Sequence, residues 1–153
     1  MRDKRFIAEH RGGPLRKEQH RQLILWACAC SSHVLPLFGN EIDNRLTDAL
    51  MIARKWADGN ATVGDARKSS VGAIRVANEN SDPVLVAVAR SVGHAVATAH
   101  MADHSPGSAD YALKAVKNAG LSIEAERKWQ DEQLPEEIRD LVLSSRSRRS
   151  LKL

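Results

Sequence analysis

Ser81-Asp82-Pro83-Val84-Leu85-Val86-Ala87-Val88-Ala89-Arg90-Ser91-Val92-Gly93-His94-Ala95-Val96-Ala97-Thr98-Ala99-His100-Met101-Ala102-Asp103-His104 reads as one long helix at the middle of the molecule. Ser81 or Asp82 can cap it, and proline suits its first turn, where a backbone N–H has no helical partner. At 100° per residue, Val84, Val88, Val92, Ala95, Val96 and Ala99 share one broad face. Ala89, Gly93 and Ala97 form a second stripe, whose small side chains let another helix backbone come close. Two apolar faces imply burial on most sides. Arg90, Ser91, His94 and Thr98 occupy the remaining stripe, and polar groups on a mostly buried helix need partners. With Asp65 and Arg67 from the preceding helix, Arg90, His94 and Thr98 make a candidate polar cluster. It either pairs internally to hold the bundle or forms a site.

The segments on either side are also helical. Leu23, Trp26, Ala27, Cys30 and Val34 recur at steps of three and four, which predicts a helix over 14–34, ended by Pro36 and Gly39. Ile42, Leu46, Ala49, Leu50, Ala53 and Ala57 predict a second over 41–58. Ala66, Ser70, Ala73, Ile74 and Ala77 predict a third over 63–78. The central helix is expected to run from 83 to 103, with Pro106-Gly107 as the break before a fifth over 108–119. Ser122 caps a sixth, and Pro135-Glu136-Glu137 opens a seventh with acids where the helix dipole favours them. Residues 1–13 read as an irregular lead-in closed by Gly12-Gly13-Pro14. No segment alternates as a strand does. The expectation is an all-α fold: one domain over 1–145, a bundle or orthogonal array of six to seven helices, then a basic flexible tail over 146–153. Ser70-Val71-Gly72-Ala73 is echoed by Ser91-Val92-Gly93-His94, but the 21-residue shift is shorter than the usual two-helix solenoid repeat.

Composition narrows the class. The chain of 153 residues is 42% apolar and 27% charged, enough for a packed core. Aromatics are only 4%, so that core is built of Ala, Val, Leu and Ile. The net charge of +4 comes from Arg146, Arg148, Arg149 and Lys152; without them the chain holds 19 basic against 19 acidic residues. A neutral body argues against a nucleic-acid-binding domain, which carries a basic face. Only the tail offers weak attraction to nucleic acid or an acidic surface. The apolar stretch over 84–102 is interrupted by Arg90, His94 and His100 and makes a poor membrane span. The N-terminus lacks an apolar run of signal-peptide length. A bacterial-type cytoplasmic protein is expected.

Three residues near the end of the central helix have metal-ligand chemistry: His100, Asp103 and His104. On a continuous helix, His100 and His104 share a face with Asp103 at its edge. His94 would lie roughly 15 Å from His104 along the axis. A catalytic zinc site needs three protein ligands and an open position, so His33 or His20 would have to supply the third. No HExxH, P-loop, GxGxxG or GxSxG motif is present. Cys28 and Cys30, two apart on a helix, point in different directions and read as small core residues. Trp26, Trp56 and Trp129 read as helix-contact residues.

Four segments carry a family resemblance. They are Met1-Arg-Asp-Lys-Arg-Phe6 with His10-Arg-Gly-Gly-Pro-Leu15, Trp56-Ala-Asp-Gly-Asn-Ala-Thr-Val-Gly-Asp-Ala-Arg67, Ala89-Arg-Ser-Val-Gly-His-Ala-Val-Ala-Thr-Ala-His-Met-Ala-Asp-His104 and Glu126-Arg-Lys-Trp-Gln130. Together they resemble the immunity-five-like family of bacterial immunity proteins, over nearly the whole chain to about Ser144. The resemblance implies a small helical protein of a polymorphic toxin system that binds a cognate toxin and blocks it. It carries over no catalytic residues, and no cofactor is expected apart from the metal that His100, Asp103 and His104 could hold. Immunity proteins against nucleases are often acidic, and the neutral body departs from that pattern. The favoured reading is a non-catalytic inhibitor acting by steric occlusion. The alternative is a metal-dependent hydrolase using the His94, His100, Asp103 and His104 region. A third reading is a nucleic-acid-associated protein using its tail.

Overall fold

A computed structural model of the chain describes residues 2–150. The central helix, α4 (Pro83–Ala97), packs against α1 (Lys17–Val34), α2 (Asn44–Ala57), α3 (Val63–Glu79) and α5 (His104–Asn118). Asp82 caps it by accepting the Val84 N–H at 2.8 Å, with Pro83 in the first turn. Val88, Val92, Ala95 and Val96 are completely buried among Ile24, Leu46, Leu50, Ala73 and Val76. On the small-residue stripe, Gly93 lies against α3, where its carbonyl accepts from the Ser70 hydroxyl at 3.3 Å. Thus α3 and α4 run antiparallel, joined by the short link 80–82. Helices α6 (Ile123–Glu132) and α7 (Glu136–Ser150) complete seven α-helices among the described residues. These residues hold no strand beyond one isolated bridge, Ala8 with Leu15. The all-α expectation holds.

The two faces of α1 serve two apolar clusters. Ile24, Ala27, Cys28 and Val34 join the cluster around α4. Leu23, Trp26 and Cys30 join a second cluster with Phe6, Leu15, Leu134, Ile138 and Val142. Cys28 and Cys30 do point apart, as a helix requires. The lead-in is ordered by two 3-10 turns, Lys4–Phe6 and Glu9–Arg11. Gly13 lies hard against the Ile7 backbone, and a Cβ there would overlap the Ile7 carbonyl.

Three expectations are corrected. First, α4 ends at Ala97, not near Asp103. The Thr98 hydroxyl donates back to the His94 carbonyl at 3.0 Å. The Thr98 carbonyl, which a continuing helix would offer to the Ala102 N–H, accepts from His20 Nε2 at 2.6 Å. The chain turns there, and α5 begins at His104 rather than Ser108. Pro106 and Gly107 lie inside its first turns, where a missing N–H costs nothing. Second, Ile74 is not part of the buried stripe of α3 but is 48% exposed. Third, residues 146–150 are not a loose tail: they continue α7. Arg146 is half-buried over the Trp26 ring and donates to Asp131 at 3.0 Å and to Gln130. Arg149 pairs with Asp110, and Arg148 lies 3.6 Å from Asp3. Residues 151–153, with Lys152, lie outside the described residues.

Candidate functional site

Because the chain reverses between α4 and α5, His104 returns to the last turn of α4. Its Nδ1 lies 3.0 Å from the Nδ1 of His94. Gly107, one turn further along α5, makes room for the ring: a Cβ there would stand 3.1 Å from His94 Nδ1. Tyr111 follows on the same face of α5 and stacks on His94 with centroids 5.1 Å apart. The Arg90 guanidinium sits 5.9 Å over the Tyr111 ring. His100, on the turn after α4, stacks on His104 at 6.0 Å.

Burial pushes the pKa of His94 down to about 4, helped by His104, Arg149 and Arg90 and opposed by Asp103. Burial also lowers the pKa of His104, against the pull of Asp103, and that of His100. Near neutral pH the His94–His104 contact therefore joins two neutral rings. One donates its Nδ1–H and the other accepts.

These side chains wall an open cavity of about 540 Å³ between α3, α4 and α5. Val71, Ile74, Ala77, Val96 and Ala97 give it an apolar lining. Arg67 and Arg90 supply its positive charge, the three histidines add neutral polar rings, and no Asp or Glu lines it. Neither Arg67 nor Arg90 has a carboxylate partner among the described residues. Such a cavity has the size and lining of a binding site. His94 and His104 also back a second cavity of about 510 Å³, lined by Arg2, Asp3, Asp103, Arg148 and Arg149.

The structure brings Arg67, Arg90, His94, His100 and His104 around one space and leaves three candidates out. Asp65 is exposed and closes a capping box with Thr62 at the start of α3. Thr98 is buried behind the cavity, bonded to His94 and His20. Asp103 faces the second cavity and pairs with Arg2 at 3.3 Å. His100, Asp103 and His104 therefore do not converge. No group of three or more His, Cys, Asp and Glu placed to hold a metal occurs among the described residues. His20 and His33 are engaged elsewhere, His33 with Glu126 at 2.7 Å while stacked on Trp129. Tyr111 is legible from sequence as a candidate interface anchor, whereas Val71 has only a faint signal, as an apolar position off the buried stripe of α3.

The buried serine of the polar stripe has a purely internal role. Ser91 joins Ser31 at 2.8 Å and donates to the Ser108 carbonyl at 2.8 Å, while Ser108 donates to the Ser91 carbonyl at 2.9 Å. This cluster ties α1, α4 and α5 together.

Fold and site together define an all-helical protein with an acid-free, cation-rimmed cavity suited to binding. A family model described as Imm-5 like putative immunity protein matches residues 13–137, and the chain belongs to that family. No curated protein and no solved structure matches the chain. No helix among the described residues is long and apolar enough to cross a membrane.

Proposed function

We propose that this protein binds a cognate toxin of a bacterial polymorphic toxin system in the cytoplasm and neutralises it by covering the toxin's working surface, without catalysis. The observation that carries the reading is the family match over residues 13–137, which spans all of α1 to α6. The site geometry agrees with it. Arg90 and Tyr111 belong to the residue types that anchor protein interfaces, and both border an open apolar cavity. The histidines contribute packing and hydrogen bonding instead of a ligand set. The hydrolase alternative loses support, because Asp103 pairs with Arg2 at the second cavity and is absent from the lining of the cavity that the three histidines share.

Protection and binding test the reading together. Cells expressing the cognate toxin are expected to survive when the chain is co-expressed, and the purified pair is expected to co-elute in fixed proportion. Undiminished killing with no complex would overturn it.

A further inference from the structure

We propose that the groove between α3, α4 and α5 is the toxin-docking surface, and that it receives an acid-bearing apolar segment of the toxin. The inference rests on the immunity reading and adds to it the face used and the chemistry recognised.

Three observations carry it. The first is charge. Arg67 and Arg90 stand at the groove with no carboxylate partner among the described residues, and no acid lines it. Elsewhere Arg45 pairs with Asp43 and Glu79, Arg21 with Glu18 and Asp58, and Arg146 with Asp131. Arg11, Arg54, Arg75, Arg127 and Arg139 also have no carboxylate partner among the described residues, but Arg67 and Arg90 differ in lining a largely apolar groove that holds no acid. Two unpaired guanidinium groups beside apolar surface favour a carboxylate brought by a partner, and complementary charge of this kind sets specificity and steers association.

The second is the extent of the apolar surface. It does not stop inside the groove. Val71 and Ile74 are each 48% exposed on the shoulder of α3. Both also line the groove, so a protein segment lying along α3 would fill the groove and cover both residues. The third is rigidity. Gly93 packs against Ala73 and Ile74 of α3, and His94 is wedged between His104, Tyr111 and Gly107. The floor is therefore formed before the partner arrives, which lowers the ordering cost of binding.

The test measures toxin binding by the full chain and by Arg67→Glu/Arg90→Glu. Reversing both charges is expected to weaken binding by about 100-fold and abolish protection, with helicity and melting temperature unchanged. Ile74→Asp should also weaken binding, through the apolar contact. Arg127→Glu/Lys128→Glu, the same charge change on α6, should bind within about twofold of wild type, because it lies outside the groove. Arg67→Gln and Arg90→Gln keep the test readable if charge reversal disturbs folding; each should give a smaller loss. If the toxin binds neither wild type nor variants, the immunity reading fails. If wild type and Arg67→Glu/Arg90→Glu bind it equally, the docking proposal fails while the immunity reading stands. A small anion that co-purifies with wild type, and is lost from Arg67→Glu/Arg90→Glu while toxin binding persists, would also overturn the docking proposal.

Discussion

His94 and His104 bond to each other through their Nδ1 atoms at 3.0 Å, joining the last turn of α4 to the first residue of α5. The contact forms one wall of the groove and needs one of the two Nδ1 atoms to stay unprotonated, while burial opposes charge on either ring.

That dependence predicts a pH response. The folded protein lowers the pKa of both rings, that of His94 to about 4. The unfolded chain takes up these protons near pH 6.5, while the fold refuses them until lower pH. Stability should therefore be full above about pH 7 and fall as pH drops toward 4. His94→Asn keeps a polar atom near the Nδ1 position and removes the titration. Urea unfolding should show wild type losing about 2 kcal/mol more than His94→Asn across that window, a figure reduced for solvent screening of an incompletely covered ring. A difference independent of pH would contradict this account.

Gly107 should couple to His94. Alanine normally stabilises a helical position over glycine by about 1 kcal/mol. Here its Cβ would press on the His94 ring, so Gly107→Ala is expected to destabilise wild type by roughly 1 kcal/mol. In a His94→Ala background the obstacle is gone, and the same change should become stabilising. Thermal denaturation of the four proteins measures the coupling, and equal effects in both backgrounds would remove the proposed role of Gly107.

The Ser31, Ser91 and Ser108 hydroxyls satisfy one another in a space closed to water. Replacing one with alanine strands a neighbour, at about 1–3 kcal/mol each. Replacing all three leaves fewer stranded groups. The triple variant should cost clearly less than the sum of the singles, as read from chemical denaturation midpoints.

Truncation after Ser145 removes Arg146 from the Trp26 ring, Asp131 and Gln130. It should lower the melting temperature by several degrees and alter tryptophan fluorescence. A solvated tail would leave both unchanged. Arg146→Ala alone should reproduce most of the effect, since the later residues make more exposed contacts.

Local chemistry made much of this protein legible before its structure. The apolar stripes of α1, α2 and α4 follow from helical periodicity, and Asp82, Pro83 and Ser122 mark starts where the structure has them, because capping depends on near neighbours. The family resemblance was carried by short local segments for the same reason. The groove was not legible. Read as one helix, the run 83–104 separates His94 from His104 by roughly 15 Å. They meet because His20, 78 residues away from Thr98, takes up the Thr98 carbonyl and the chain reverses. The direction Asp103 faces, the exposure of Ile74 and the seating of Arg146 were likewise decided by packing between distant segments. Sequence periodicity sets which face of a helix is apolar, whereas only the tertiary structure decides which residues of neighbouring helices face each other, because those contacts are long-range and their geometry depends on every turn between them.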